Sequence, residues 1–238
     1  MKILGLDSSG LVASVAIVEN GQLLAEYTTD YKKTHSQTLL PMLDELRNMI
    51  ELDMNAVDAI AIASGPGSFT GLRIGSATAK GLGLALQKPL VEVPTLEGLA
   101  WNLWGTDRLV CPLMDARRNQ VYTAAYEFVA VEEDFELKTV LPQSPMDIGE
   151  LTEKLNALRR KVIFLGDGVP AYLSVIREKM KVEYSIAPAG NNRQRAASVA
   201  ALGAVYYSRG RTVDAALHQP EYLRKSQAER EQDEHNNS

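Results

Sequence analysis

The stretch Gly65-Pro66-Gly67-Ser68-Phe69-Thr70-Gly71-Leu72-Arg73 gathers the residues of this chain best suited to chemistry. It leaves an apolar strand-like run and opens a helix-like one, where unpaired backbone N–H groups and the positive dipole end attract anions. Its spacing misses the familiar phosphate loops. Five residues separate Gly65 from Gly71 and Leu72 follows, whereas a Walker loop needs four and then Lys, and G-x-G-x-x-G is missed by one residue. The centre of Gly67 to Gly71 is Phe69, not the Ser of a nucleophile elbow. Two readings stand: an anion-binding loop, or a tight strand-to-helix turn whose glycines allow unusual φ. Gly166-Asp167-Gly168, Asp7-Ser8-Ser9-Gly10 and Asp115-Ala116-Arg117-Arg118 are the other candidate loops. His35, His218 and His235 form no H-x-x-x-H or H-E-x-x-H pattern, and Cys111 lies alone in an apolar run. No local signature places a Ser-His-Asp site, and a solvated or capping role is the plain reading of each histidine.

These loops are punctuation in a repeating order of elements. Residues 2–7 read as an apolar strand ending at Asp7, and 13–19 and 22–28 as strands around the hairpin signal Asn20-Gly21. A helix starts at Thr34, with Gln37 placed for a capping box and Pro41 inside it. Strand 59–63, helix 71–86, strand 90–93 and helix 95–103 follow. The second half repeats this with strands 109–115, 120–129 and 137–141, helix 147–159, strand 161–165, helix 171–180, strand 182–186 and helix 193–208. Asp7 and Asp115 close the first strands 108 residues apart, and Gly65-x-Gly67 and Gly166-x-Gly168 follow the fourth strands 101 apart. Shared element order with two shared landmarks indicates a duplication: an α/β chain of two mixed-sheet domains, 1–104 and 105–222, with 223–238 a disordered acidic tail.

Two adjoining helices carry apolar or small residues beyond what one core needs. Leu39, Leu40, Leu43 and Leu46, continued by Ile50, cover more than one face of the first. Gly71, Gly75, Ala79 and Gly83 recur every fourth residue along the second. Such a ladder admits another backbone closely, either the protein's own sheet or a partner in a four-helix interface.

Composition narrows the function classes. The 238 residues are 45% hydrophobic and 23% charged, as in an ordinary globular chain. Lys plus Arg number 25 against 30 Asp plus Glu, for a net charge of −5. Residues 226–238 carry −3 of it and leave the body near neutral without a basic stripe, which argues against unaided nucleic-acid binding. A single cysteine excludes a disulfide scaffold and fits a reducing cytoplasm. No apolar run of about 18 residues suggests a membrane span, and the apolar residues 3–6 are too few for a signal peptide.

The duplicated βββαβα order with acid-tipped first strands resembles the actin–sugar kinase–Hsp70 fold. That resemblance implies a first phosphate loop at Asp7, Ser8 and Ser9 and a nucleotide site completed by Gly166, Asp167 and Gly168. The counterpart of the first loop, Asp115-Ala116-Arg117-Arg118, lacks the glycine that lets a backbone approach phosphate. The segments 3–9, 35–41 (HSQTLLP), 65–75 (GPGSFTGLRIG), 95–100 (TLEGLA), Asp115 to Arg118 with Val121-Tyr122, and Tyr222-Leu223-Arg224 are similar to the TsaB (YeaZ) family of bacteria. The resemblance implies a role in forming threonylcarbamoyl-adenosine on tRNA, as a non-catalytic scaffold that pairs with the catalytic paralogue TsaD, works beside the ATPase TsaE and forms homodimers alone. It further implies a cytoplasmic protein that meets tRNA only through the complex, with no cofactor of its own and with ATP or ADP at the partner interface as the candidate ligand. TsaD carries metal on an H-x-E-G-H helix, where this chain has Thr95-Leu96-Glu97-Gly98-Leu99, so two ligands are missing and no metal is expected. The alternative of another class is an enzyme, either a weak ATPase using Asp7 to Gly10 or a peptidase of the actin-like superfamily.

Overall fold

The computed structural model describes residues 1–31, 34–117 and 119–223. Arg118, Arg224 and the acidic segment 226–238 with His235 lie outside the described residues.

Strands β1 (Lys2–Asp7), β2 (Ala13–Glu19) and β3 (Gln22–Thr29) form an antiparallel meander. Asn20 (φ 49°) and Gly21 (φ 80°) make the turn between β2 and β3, the left-handed pair that matches strand twist. Helix α1 (His35–Met49), β4 (Ala59–Ala63), α2 (Phe69–Leu86), β5 (Leu90–Val93) and α3 (Thr95–Ala100) complete the first half. The second comprises β6 (Leu109–Asp115), β7 (Gln120–Val131), β8 (Asp134–Asp147), α4 (Ile148–Leu158), β9 (Val162–Leu165), α5 (Gly168–Lys179), β10 (Tyr184–Ile186) and α6 (Ala196–Ser208). Sheet orders are β3-β2-β1-β4-β5 and β10-β9-β6-β7-β8. Read from the antiparallel edge the two coincide strand for strand, so the duplication in the sequence is a duplication of topology.

The terminal helices cross over. On the first sheet, α1 and α2 pack Leu39, Leu43, Leu46 and Ala79 against Leu4, Leu6, Val15, Ile60 and Ile62. The opposite face is covered by α6, with Val199, Ala200 and Leu202 on Ile3, Ala61 and Val91. Covering both faces explains why β1 and β4 are apolar almost throughout rather than alternating. Close approach by α6 depends on small residues, since a Cβ on Gly5 would strike the Ala196 carbonyl. Likewise α3, from the first half, packs Leu96 and Leu99 with Val110, Tyr126 and Phe128 of the second sheet. The sequence division at 104/105 therefore follows the repeat, while the packing exchanges one helix in each direction.

Local boundaries moved for identifiable reasons. The last strand of the second meander extends to Asp147 instead of ending at Leu141. Pro142 and Pro145 read as terminators, but β8 is an edge strand, where a missing N–H costs no ladder bond, and register shifts near Ala125 absorb the misfit. Helix α1 runs through the exposed Pro41. The capping box at Thr34 does not form: Thr34 makes no side-chain cap bond, and Gln37 N donates to the Thr34 carbonyl. Among the described residues no helix is long and apolar enough to cross a membrane.

Candidate functional site

At the end of β1 the chain turns inward. Asp7, Ser8 and Ser9 are all buried. Ser9 donates to Asp7 Oδ1 from its backbone N–H (2.9 Å) and from its hydroxyl (2.6 Å). Burial pushes the Asp7 pKa from 3.8 to about 6, while the two Ser9 bonds and the nearby His35 oppose the rise. The Ser8 hydroxyl donates to the Gly71 carbonyl at 2.9 Å, and the Ser68 N–H donates to the Ser9 carbonyl at 2.7 Å. A Cβ on Gly67 would strike the Ser9 carbonyl, and one on Gly71 the Ser8 carbonyl. The glycines of the 65–71 stretch thus serve a close approach between two loops of one protein. Of the two readings of that stretch, the packed turn is the one the geometry supports.

The second loop lies across a strip of backbone. Gly166 (φ 106°) and Gly168 both press on the Leu113 backbone, where a Cβ has no room. Gly166 N donates to the Asn192 carbonyl at 2.9 Å, Arg193 Nη1 reaches the Gly166 carbonyl at 3.3 Å, and the Gln194 amide abuts Gly10. Residues 192–195 therefore run between the two loops that the resemblance pairs around a nucleotide. Arg195 locks this strip with an ion pair to Glu26 at 2.6 Å, and Arg193 pairs with Asp30 at 3.5 Å. Asp167 has its carboxyl pKa raised by burial, and Asp115 accepts from the Arg117 N–H and the Tyr172 hydroxyl. A phosphate would have to displace Gly67 from Ser9 and the 192–195 strip from Gly10. Asp7, Ser8, Ser9, Gly166, Asp167 and Gly168, as they lie here, do not fit a nucleotide.

The interface residues divide in two. Leu39, Leu43 and Leu46 belong to the protein's own core, and only Leu40 points outward, 53% exposed. Gly71, Gly75, Ala79 and Gly83 face inward as well: Gly75 against Ser8 and Ile62, Gly83 against Ala215 and Leu90. Within the chain this ladder is occupied by the protein's own residues. Helical spacing was right, but the small residues admit the β1–β2 loop and the chain's own C-terminal segment. What α1 and α2 present to solvent is a different set, with Leu40, Met49, Arg73, Ala77, Gly81 and Leu84 exposed.

On α3, Thr95 is bonded twice to the glycine loop: its N–H donates to the Gly65 carbonyl (2.7 Å) and its hydroxyl accepts from Gly65 N (3.1 Å). Leu99 is in the core, and the Glu97 carboxylate accepts from the Tyr206 hydroxyl. Each residue of the Thr95-x-Glu97-x-Leu99 pattern therefore has a structural occupation. Tag-free protein should contain less than about 0.1 equivalents of zinc or iron by elemental analysis, given two missing ligands; stoichiometric metal lost in Glu97→Ala would reverse this.

Comparison with known proteins settles the family. The family model described as TsaD, tRNA N6-adenosine threonylcarbamoyltransferase, matches residues 22–232. The tRNA threonylcarbamoyladenosine biosynthesis protein TsaB of Bacillus subtilis is 33% identical over 229 residues, covering 96% of each chain. The chain belongs to the TsaB (YeaZ) family. YeaZ from Pseudomonas aeruginosa superposes with a TM-score of 0.77 at 28% identity, over 93% of this chain and 99% of that one. An inorganic polyphosphate/ATP-glucomannokinase from Arthrobacter matches 88% of this chain and 99% of its own at a TM-score of 0.50 and 11% identity. That likeness concerns the fold alone, which is the actin-like one of the sugar kinases.

Within this TsaB-family chain, the sequence reading names His218 and Tyr222 but not the packing of residues 213–222 back onto the first half. Val213 bridges to Leu90, Lys80 Nζ donates to the His218 carbonyl, Glu221 N donates to the Ser64 carbonyl, and the Tyr222 ring packs tilted against Phe69 at 4.8 Å. His218 is buried with Nδ1 2.6 Å from Glu92 Oε1. The available signal was a histidine beside apolar residues after the last helix. His218→Ala should raise the rate of limited proteolysis after residue 210 at least several-fold, because it leaves Glu92 without its buried partner; an unchanged digest would mean that the strap holds by its backbone alone.

Proposed function

We propose that this chain acts in tRNA threonylcarbamoyladenosine biosynthesis as a non-catalytic partner of TsaD. The observation that carries the reading is the filled cleft. Residues 192–195 pack between the two loops and Ser8 and Ser9 pack on the glycine stretch, leaving no open nucleotide site among the described residues, while α1 and α2 keep an outward face. A fold so arranged offers surface rather than turnover. That face, with Leu40, Ala77 and Leu84 exposed, is the contact for TsaD and, when TsaD is absent, for a second copy of this chain. The protein works in the cytoplasm, contacts TsaE within the TsaD complex, and meets tRNA through that complex because its own charge is −5. ATP or ADP has its place where TsaD and this chain meet.

The test is the double variant Leu40→Asp with Leu84→Asp. Both side chains are more than half exposed, 53% and 57%, so the fold stands. Buried opposing carboxylates at an interface weaken association by several kcal/mol, roughly a hundredfold or more. Sedimentation should show the variant monomeric and unable to join TsaD, with its circular dichroism unchanged. Complexes of unchanged affinity would place the contact elsewhere, and ATP turnover by the purified chain, abolished by Asp7→Ala, would replace the scaffold with an enzyme.

A further inference from the structure

Away from both loops, α3, α6 and β8 enclose a cavity of about 180 Å³ whose walls include Glu97, Trp101, Phe135, Leu137, Tyr206 and Arg211. The scaffold function makes no use of it. Among its lining residues a single tyrosine, Tyr206, contacts two groups of opposite charge. The Tyr206 hydroxyl donates to the Glu97 carboxylate, and the Arg211 guanidinium lies 3.6 Å over the ring centroid. At the rim Arg209 and Glu136 neutralise each other at 2.9 Å. Among the described residues no cation lies within ion-pair distance of Glu97 and no carboxylate within that distance of Arg211. Burial raises the Glu97 pKa, while the Tyr206 bond and the Arg211 charge oppose the rise. Trp101, Phe135, Leu137, Leu202 and Val205 line the rest of the wall together with Thr139.

We propose that this cavity binds a free α-amino acid with a neutral side chain, its carboxylate on Arg211, its ammonium on Glu97 and its side chain against Trp101, Phe135 and Leu137. Charge decides the class. A simple anion satisfies Arg211 but confronts Glu97, and a simple amine satisfies Glu97 but confronts Arg211. A zwitterion matches both, and a guanidinium recognises a carboxylate through paired N–H donors. A charged side chain would bring a third charge to a wall whose Arg209 and Glu136 are already paired with each other. The volume lies below the 300–1,000 Å³ common for larger ligands, which suits a molecule of amino-acid size. Because α6 covers the first sheet and β8 edges the second, occupancy would brace the two halves against each other. This inference goes beyond the scaffold reading and does not depend on it.

Calorimetric titration of the full chain with each of the twenty L-amino acids, with thermal unfolding in parallel, tests it. At least one neutral-side-chain amino acid should bind with a Kd below about 1 mM and raise the unfolding midpoint. Its methyl ester, lacking the carboxylate, and its N-acetyl form, lacking the ammonium, should each bind at least tenfold more weakly. Arg211→Ala, at an exposed position that leaves the fold intact, should weaken binding at least tenfold, as should Glu97→Gln. The proposal is overturned if none of the twenty gives heat or a midpoint shift at about 10 mM. It is equally overturned if ester and N-acetyl forms bind as well as the free amino acid, or if binding survives Arg211→Ala.

Discussion

Gly75→Leu is expected to unfold this protein more readily, and not merely to separate it from a partner. A side chain there meets Ser8 Oγ and, at 3.2 Å, Ile62 Cδ1, both fixed: Ser8 by its bond to the Gly71 carbonyl, Ile62 inside a sheet covered on both faces. Overpacking of this kind costs about 3 kcal/mol, and each kcal/mol moves the unfolding midpoint of a chain this size by roughly 2–4 °C, so a fall of about 6–12 °C is expected. Leu84→Asp, one helix turn past Lys80 on the exposed face, should leave the midpoint within about 2 °C. Scanning calorimetry of the two variants separates inward from outward faces of α2. If Gly75→Leu keeps its midpoint yet loses TsaD, the small-residue ladder faces a partner after all.

Asp7→Asn is expected to stabilise the protein at neutral pH. The Asp7 carboxyl is raised from 3.8 to about 6 by burial. An acid whose folded pKa lies above its unfolded one binds more protons when folded, so stability rises as pH falls from about 6 toward 4 and is lowest above about 6. The shift corresponds to about 3 kcal/mol of cost at pH 7, at 1.36 kcal/mol per pKa unit. An asparagine removes the charge and keeps an oxygen to accept the Ser9 N–H and hydroxyl, the two bonds that Asp7 accepts now. Its midpoint at pH 7 should exceed that of the unsubstituted chain by several degrees, with the two curves converging near pH 4. Comparing the curves isolates Asp7 from Glu97 and Asp167, whose carboxyls burial also raises. A lower midpoint at neutral pH in Asp7→Asn would show that the charge is stabilising, as a site built to hold a cation requires. TsaD binding should be unaffected, because Asp7 is buried beneath the glycine loop.

Wherever the cause is local, the amino-acid sequence by itself determined the outcome. The Asn20-Gly21 turn, the apolar run of β1, the four-residue spacing on α2 and the two matched halves follow from backbone preferences and periodicities contained in neighbouring residues. The run GPGSFTGLRIG was enough to point to the family, since several positions of that loop are fixed by contacts too close for any side chain. What a residue faces was decided only in three dimensions. An α-helix with small residues at every fourth position can turn that stripe to a sheet or to another molecule with the same periodicity. The choice was made by Ser8, 67 residues from Gly75, and by Ala215, 132 from Gly83. The crossing of α6 onto the first sheet, the Arg195–Glu26 pair that holds the 192–195 strip and the Tyr206–Glu97 bond likewise join segments on the order of a hundred residues or more apart. Such contacts are selected by which surfaces bury the most apolar area while pairing every buried polar group, a condition on the whole chain that no window of sequence contains.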